Sequence, residues 1–190
     1  MPETPTRKDA QRSRRAILAA ARELFAAGED ASFAEIAHAA GVGQATVYRH
    51  FEDRQELLLA VAEQTLGEIE SELDAEQAAE PPPFEDLLSR VVAEQVRGRG
   101  LGAAIRSGEI GEERVRLLAG SVLELFRPSF EAARESGRLR ADLELADVEL
   151  LLAMVDGAIA SLADPVERRA VAERAVSLGL RGMLAGSARG

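Results

Sequence analysis

The chain has 190 residues, a formal net charge of −10 and no cysteine, so it can bury a sizeable core but forms neither disulfides nor thiolate metal sites. It is rich in Ala, Leu, Glu and Arg, strong helix formers that make an all-α fold the first expectation. No apolar run reaches bilayer-crossing length and the N-terminus is polar and basic, not a signal peptide, which together predict a soluble, cytoplasmic protein.

The charge is uneven. Residues 1–51 carry seven basic side chains against six acidic ones, or +1, which leaves −11 of the −10 total for the remainder. Such an asymmetry fits a small nucleic-acid reader on an acidic body, and equally a solvated basic tail.

In chain order, residues 1–9 with Pro2 and Pro5 read as a mobile arm. Ile17, Leu18, Ala21, Leu24 and Phe25 form the stripe of a helix from Arg12 to Ala27, with Gly28 as its stop. Ser32 and Glu35 have the spacing of a capping box. Phe33, Ile36, Ala37 and Ala40 then mark one face of a short helix that Gly41 can end. A second short helix buries Val47 and Phe51 and turns Gln44, Ala45, Tyr48 and Arg49 outward. Two helices joined in this way form a helix-turn-helix, whose second helix suits the DNA major groove.

Asp53 and Glu56 open a long helix carrying Leu58, Ala62, Leu66, Ile69 and Leu73, which runs out near Asp74. Residues 75–83, ending in three prolines, read as a linker. A helix over Phe84–Arg97 follows, then a glycine-rich stretch with a short helix near 103–107. The helix over 112–136 contains Pro128, which predicts a kink or break near Leu125. Residues 137–144 alternate apolar and polar but have no evident partner strand, so they read as an extended connection. Two last helices are expected over 145–163 and 166–184, separated by Asp164-Pro165.

The run Ile36-Ala37, Ala40-Gly41-Val42, Thr46-Val47-Tyr48-Arg49-His50-Phe51 and Arg54-Gln55-Glu56-Leu57, preceded by Ile17-Leu18, Ala21, Leu24-Phe25 and Gly28, resembles the tetracycline-repressor (TetR) family of bacterial transcriptional regulators. The likeness covers about 12–62. It implies an all-α protein of about nine helices. A three-helix helix-turn-helix domain at 1–53 would precede a ligand-binding and dimerisation domain at 54–190, with helix 54–74 connecting the two and 75–83 as linker. It implies a homodimer on a near-palindromic double-stranded DNA operator, usually a repressor released by a small ligand.

By position, Gln44 and Ala45 match residues that read base edges. The Gln amide can pair bidentately with adenine and the Ala45 methyl can meet thymine. Thr46, Tyr48 and His50 match phosphate-holding positions, and Arg54 matches a family Lys. Ser32 is a further phosphate candidate, and Arg49 a base or phosphate contact. Gly43 departs from the family's usual Ser or Thr, Ala45 from a frequent Gly, and Arg54 from Lys.

In the body, Leu88, Ile105, Leu117, Val122, Phe126, Phe130 and Met154 are candidate pocket walls, with Arg106 or Arg127 as anchors for an apolar or weakly acidic ligand. Leu151, Val155, Ala158, Leu162, Val171, Ala175 and Leu178 are candidate dimer contacts on the last two helices. The two histidines lie on different predicted helices, which argues against a metal site, and no cofactor or catalytic signature stands out. The expectation is therefore a regulator that is not an enzyme. The alternative is an all-helical interaction or enzyme module without sequence-specific DNA binding.

Overall fold

The computed structural model of the chain describes residues 7–27, 31–75 and 80–185. Among these, nine helices form: α1 (Arg7–Ala26), α2 (Phe33–Ala40), α3 (Gln44–His50), α4 (Arg54–Ala75), α5 (Phe84–Arg97), α6 (Arg99–Arg106), α7 (Glu112–Glu135), α8 (Ala146–Ile159) and α9 (Pro165–Met183). Of the arm read at 1–9, residues 7–9 belong to α1 and 1–6 lie outside the described residues, as do the stop at Gly28 and linker residues 76–79. Helix α1 begins at Arg7, earlier than its apolar stripe suggests, because nothing in 7–11 breaks a helix and Asp9 favours the positive end of the dipole.

The chain divides into two compact units, one holding residues up to Thr65 with Arg97–Ile110, the other Leu66–Val96 with residues from Gly111 onward. The division therefore falls inside α4 instead of at 53/54, and α6 belongs to the first unit.

In the first unit α1 packs on α2, α3 and α6. Ile17, Ala21, Ile36, Val47, Phe51 and Leu57 are sealed from solvent, which joins the stripes read from the sequence into one core. Gly100 sits close against α4 and α1. A Cβ there would stand 3.1 Å from Leu58 Cδ2, 3.8 Å from Arg54 Nη2 and 3.9 Å from Phe25 Cγ.

In the second unit Phe84 of α5 lies between two rings of α7, 5.9 Å from Phe126 and 6.0 Å from Phe130. Around this trio pack Leu87, Leu88, Val148, Leu151, Val155 and Val176, among others. These contacts help α7 continue as one helix through Pro128, where the sequence suggested a kink or break near Leu125. Proline removes one backbone bond on the exposed side, while Leu125, Phe126, Ser129 and Phe130 anchor the helix on both sides of it.

The connection after α7 does have a partner. Leu139 and Leu184 form an isolated antiparallel bridge, with Arg140 N–H donating to Met183 O at 3.0 Å and Ala185 N–H to Arg138 O at 2.8 Å. The end of α9 is thereby tied to the α7–α8 connection.

Candidate nucleic-acid interface

The α2–α3 pair is built by its ends. Glu35 N–H donates to Ser32 Oγ at 3.3 Å, and Ser32 N–H donates to Glu35 Oε2 at 2.8 Å, completing the capping box. Gly41 closes α2 at φ 66°, ψ 31°, a left-handed conformation in which its N–H and that of Val42 reach the last carbonyls. Gly43 caps α3 without a side-chain bond, so the recognition helix starts with only its backbone. Val47 and Phe51 fix its inner face.

That leaves an outward arc. Gln44, Ala45, Tyr48 and Arg49 are exposed, Tyr48 by 57%. The Tyr48 ring does not swing free. Phe33 of α2 stands 5.0 Å away with its plane tilted 58°, so one aromatic braces the other across the turn. Arg49 Nη2 donates to Thr46 Oγ1 at 2.9 Å, which folds a guanidinium over the half-buried threonine. His50 is half-buried, and its imidazole is held below its ordinary pKa by burial first, then by the positive charges of Arg14 and Arg49.

Two sequence candidates sit differently from the rest. Ser32 Oγ also donates to Glu35 Oε2 at 2.7 Å, so its hydroxyl hydrogen is engaged within the cap. Glu35 is held below the usual carboxylate pKa by the bonds from Ser32, which places a negative charge beside that hydroxyl. The Arg54 guanidinium lies over the Phe25 ring, 5.1 Å from its centroid. Arg14, absent from the candidates, stacks on Phe51 at 4.8 Å. Its only signal in the sequence was the basic excess of the first fifteen residues.

The pocket and dimer candidates scatter. Leu88, Phe126 and Phe130 share one buried cluster, with Val122 partly buried against it. Ile105 lies in the other unit. Leu117 and Met154 are exposed by 68% and 61%, so neither is a wall within the body. The candidate anchor Arg127 is exposed and paired with Glu124 at 2.6 Å. Of the dimer candidates, Leu151 and Val155 are spent in the chain's own core, while Leu162, Val171 and Ala175 are partly buried. Ala158 and Leu178 are exposed, and on α8 the apolar residues that face outward are Leu150 and Met154. The cause is that residues 150–155 are all apolar, so helical period cannot say which side of α8 turns inward.

Known proteins with related sequence or fold agree on one family. The family model described as bacterial regulatory proteins, tetR family, matches residues 17–61, from the middle of α1 into the first part of α4. The transcriptional repressor LfrR of Mycolicibacterium smegmatis is 38% identical over 88 residues, and the alignment covers 45% of each chain, less than half of that relative's length. Two crystal structures match nearly end to end. A TetR transcription regulatory protein from Mycobacterium vanbaalenii shares 31% identity over 94% of this chain and 99% of its own, with a TM-score of 0.62. A TetR transcriptional regulator from Streptomyces coelicolor shares 27% identity over 92% and 99%, with a TM-score of 0.65. A match at that identity over the whole length, together with the helix-turn-helix built above, places this chain in the TetR family of bacterial transcriptional regulators.

Proposed function

We propose that the chain is a ligand-responsive repressor that binds a near-palindromic DNA operator as a homodimer. The observation that carries this reading is the outward arc of α3, where Gln44, Ala45, Tyr48 and Arg49 stand exposed on a helix whose inner face is packed through Val47. Gln44 and Ala45 meet base edges, and Thr46, Tyr48 and His50 hold the phosphate backbone. The repressor LfrR supports the sign of regulation.

The unit holding α1–α3 is the reading head, and the unit holding α7–α9 pairs two chains and receives the ligand. Leu150, Met154 and Ala158 on α8 and Leu178 on α9 give an apolar surface for a second copy. A two-fold pair sets the two α3 helices about 34–36 Å apart on the operator. The ligand, apolar or weakly acidic, releases DNA by binding better to the spacing that does not match. Leu88, Phe126 and Phe130 are the walls to test first. No helix among the described residues is long and apolar enough to cross a membrane, and the proposed site of action is the cytoplasm, where the DNA is.

Selecting bound DNA from a random pool tests this reading. Enrichment of one palindrome with half-sites a helical turn apart is the expected result, and a pool that stays random overturns it.

A further inference from the structure

We infer that Arg14 of α1, absent from the contacts assigned above, holds a DNA backbone phosphate together with His50 at the C-terminal end of α3. The inference rests on the reading of the chain as a DNA binder.

Two side chains lie near one ring there. The Arg14 guanidinium lies 4.8 Å from the centre of the Phe51 ring, and the His50 ring lies 6.3 Å from the same ring. Phe51 is the fully buried residue that closes the recognition helix, so the ring beneath Arg14 belongs to the core and His50 is its neighbour in the chain. The downward push that Arg14 exerts on the His50 pKa is in keeping with that closeness.

Arg14 has the features of a cation waiting for an anion. It makes no hydrogen bond and no ion pair with any described residue. The residue is half-buried, and its Nη1 is sealed from solvent without a hydrogen-bond partner. Three exposed arginines elsewhere pair with a carboxylate close by in sequence. Arg127 meets Glu124 at 2.6 Å, Arg140 meets Asp142 at 2.6 Å and Arg169 meets Glu173 at 2.8 Å. A chain of net charge −10 has carboxylates to spare, yet among the described residues none is set against Arg14. Arg49, next to His50 in sequence, bonds the Thr46 hydroxyl and no carboxylate among the described residues.

A guanidinium held 4.8 Å from a buried ring keeps its donors near one place, and its fork suits the paired oxygens of a phosphate better than a point charge would. The position also suits DNA. Seven residues of helix span about 10 Å, so the cations at the end of α3 stand one groove flank away from Gln44 at its start. A packing role alone asks only for the apolar stem of Arg14, and that gives the test.

Arg14→Met and Arg14→Lys in the full chain are compared with the parent on the selected operator and on unrelated duplexes, between about 50 and 200 mM salt. Arg14→Met should bind every sequence about tenfold more weakly and lower the log–log salt slope by about one, with an unchanged unfolding midpoint. Arg14→Lys should keep the slope. An Arg14→Met protein with parental slope and affinity overturns the inference while leaving the DNA-binding reading intact. A parent that binds no duplex in a salt-dependent way removes both. If Arg14→Met does not fold, Arg14→Gln is measured in its place against the same two outcomes.

Discussion

Leu151 of α8 and Gly179 of α9 meet side chain to backbone: a Cβ placed on Gly179 would stand 3.1 Å from Leu151 Cδ2 and closer still to Cδ1. The α8–α9 pair, the most extensively packed pair of helices in the second unit, therefore depends on a missing side chain. Replacing Gly179 with Ala gains about 1 kcal/mol of helix propensity but overpacks a buried leucine, at about 1–3 kcal/mol. We expect a net loss of about 1 kcal/mol in urea unfolding for Gly179→Ala. Combining it with Leu151→Ala should cost less than the sum of the two single changes. Additivity would show that the two residues do not press on each other.

The Phe33–Tyr48 contact makes a separable prediction for DNA binding. Phe33→Leu keeps an apolar residue on α2 but removes the ring that braces Tyr48. An aromatic pair contributes about 0.5–1.5 kcal/mol, so affinity should fall roughly 2- to 10-fold on all sequences alike. Tyr48→Ala should fall at least as far with the same lack of sequence preference. A Phe33→Leu protein that binds like the parent in an anisotropy titration would leave the brace without a role.

Gln44 should behave differently. Its exposed amide at the first turn of α3 reads a base, so Gln44→Ala should cost about 1–3 kcal/mol on the selected operator and change which base is preferred at one position of each half-site. Equal losses on every duplex would refute base reading by this residue.

Gly43 offers a gain. A Cβ added there meets nothing nearer than Thr46 Oγ1 at 3.9 Å, and the backbone is already extended at φ −71°, ψ 142°. Gly43→Ser supplies the missing N-cap and should raise stability by a few tenths of a kcal/mol, read as a higher thermal midpoint. A lower midpoint would mean that the hydroxyl does not reach the open N–H groups of α3.

His50 carries a pH dependence whose sign follows from its environment. Burial first, then Arg14 and Arg49, lower its pKa below 6.5, so the folded state binds fewer protons there than the unfolded state. Its contribution to stability is present above the unfolded value near 6.5 and is lost as pH falls through the folded value. His50→Gln should flatten this acid limb of the stability curve. A DNA phosphate beside the ring would raise the same pKa, so operator affinity should increase as pH falls through the bound-state value, and His50→Gln should remove that increase too.

Much of the reading head was legible because its signals are local. The Ser32–Glu35 box, the Gly41 stop and the Val47–Phe51 spacing each fix backbone within a few residues, and each appears in the structure where the sequence put it. What was not legible depends on contacts distant in sequence. Arg14 is recognisable only once α1 brings it over Phe51, and the Phe84 ring that packs on Phe126 and Phe130, on either side of Pro128, is far from them in sequence. The α8 face fails for another reason. With Leu150 to Val155 all apolar, assigning Leu151 and Val155 to the outside and Met154 to the inside was a choice among equal phases, and the structure has them reversed.

Binding of the whole protein to the selected palindrome and to one isolated half-site, each over a range of salt, tests most directly that the α2–α3 unit works as one of a pair. Two chains per palindrome, affinity in the nanomolar range that falls steeply with salt, and a half-site bound far more weakly are expected. Equal affinity for palindrome and half-site, or no dependence on salt, would contradict it.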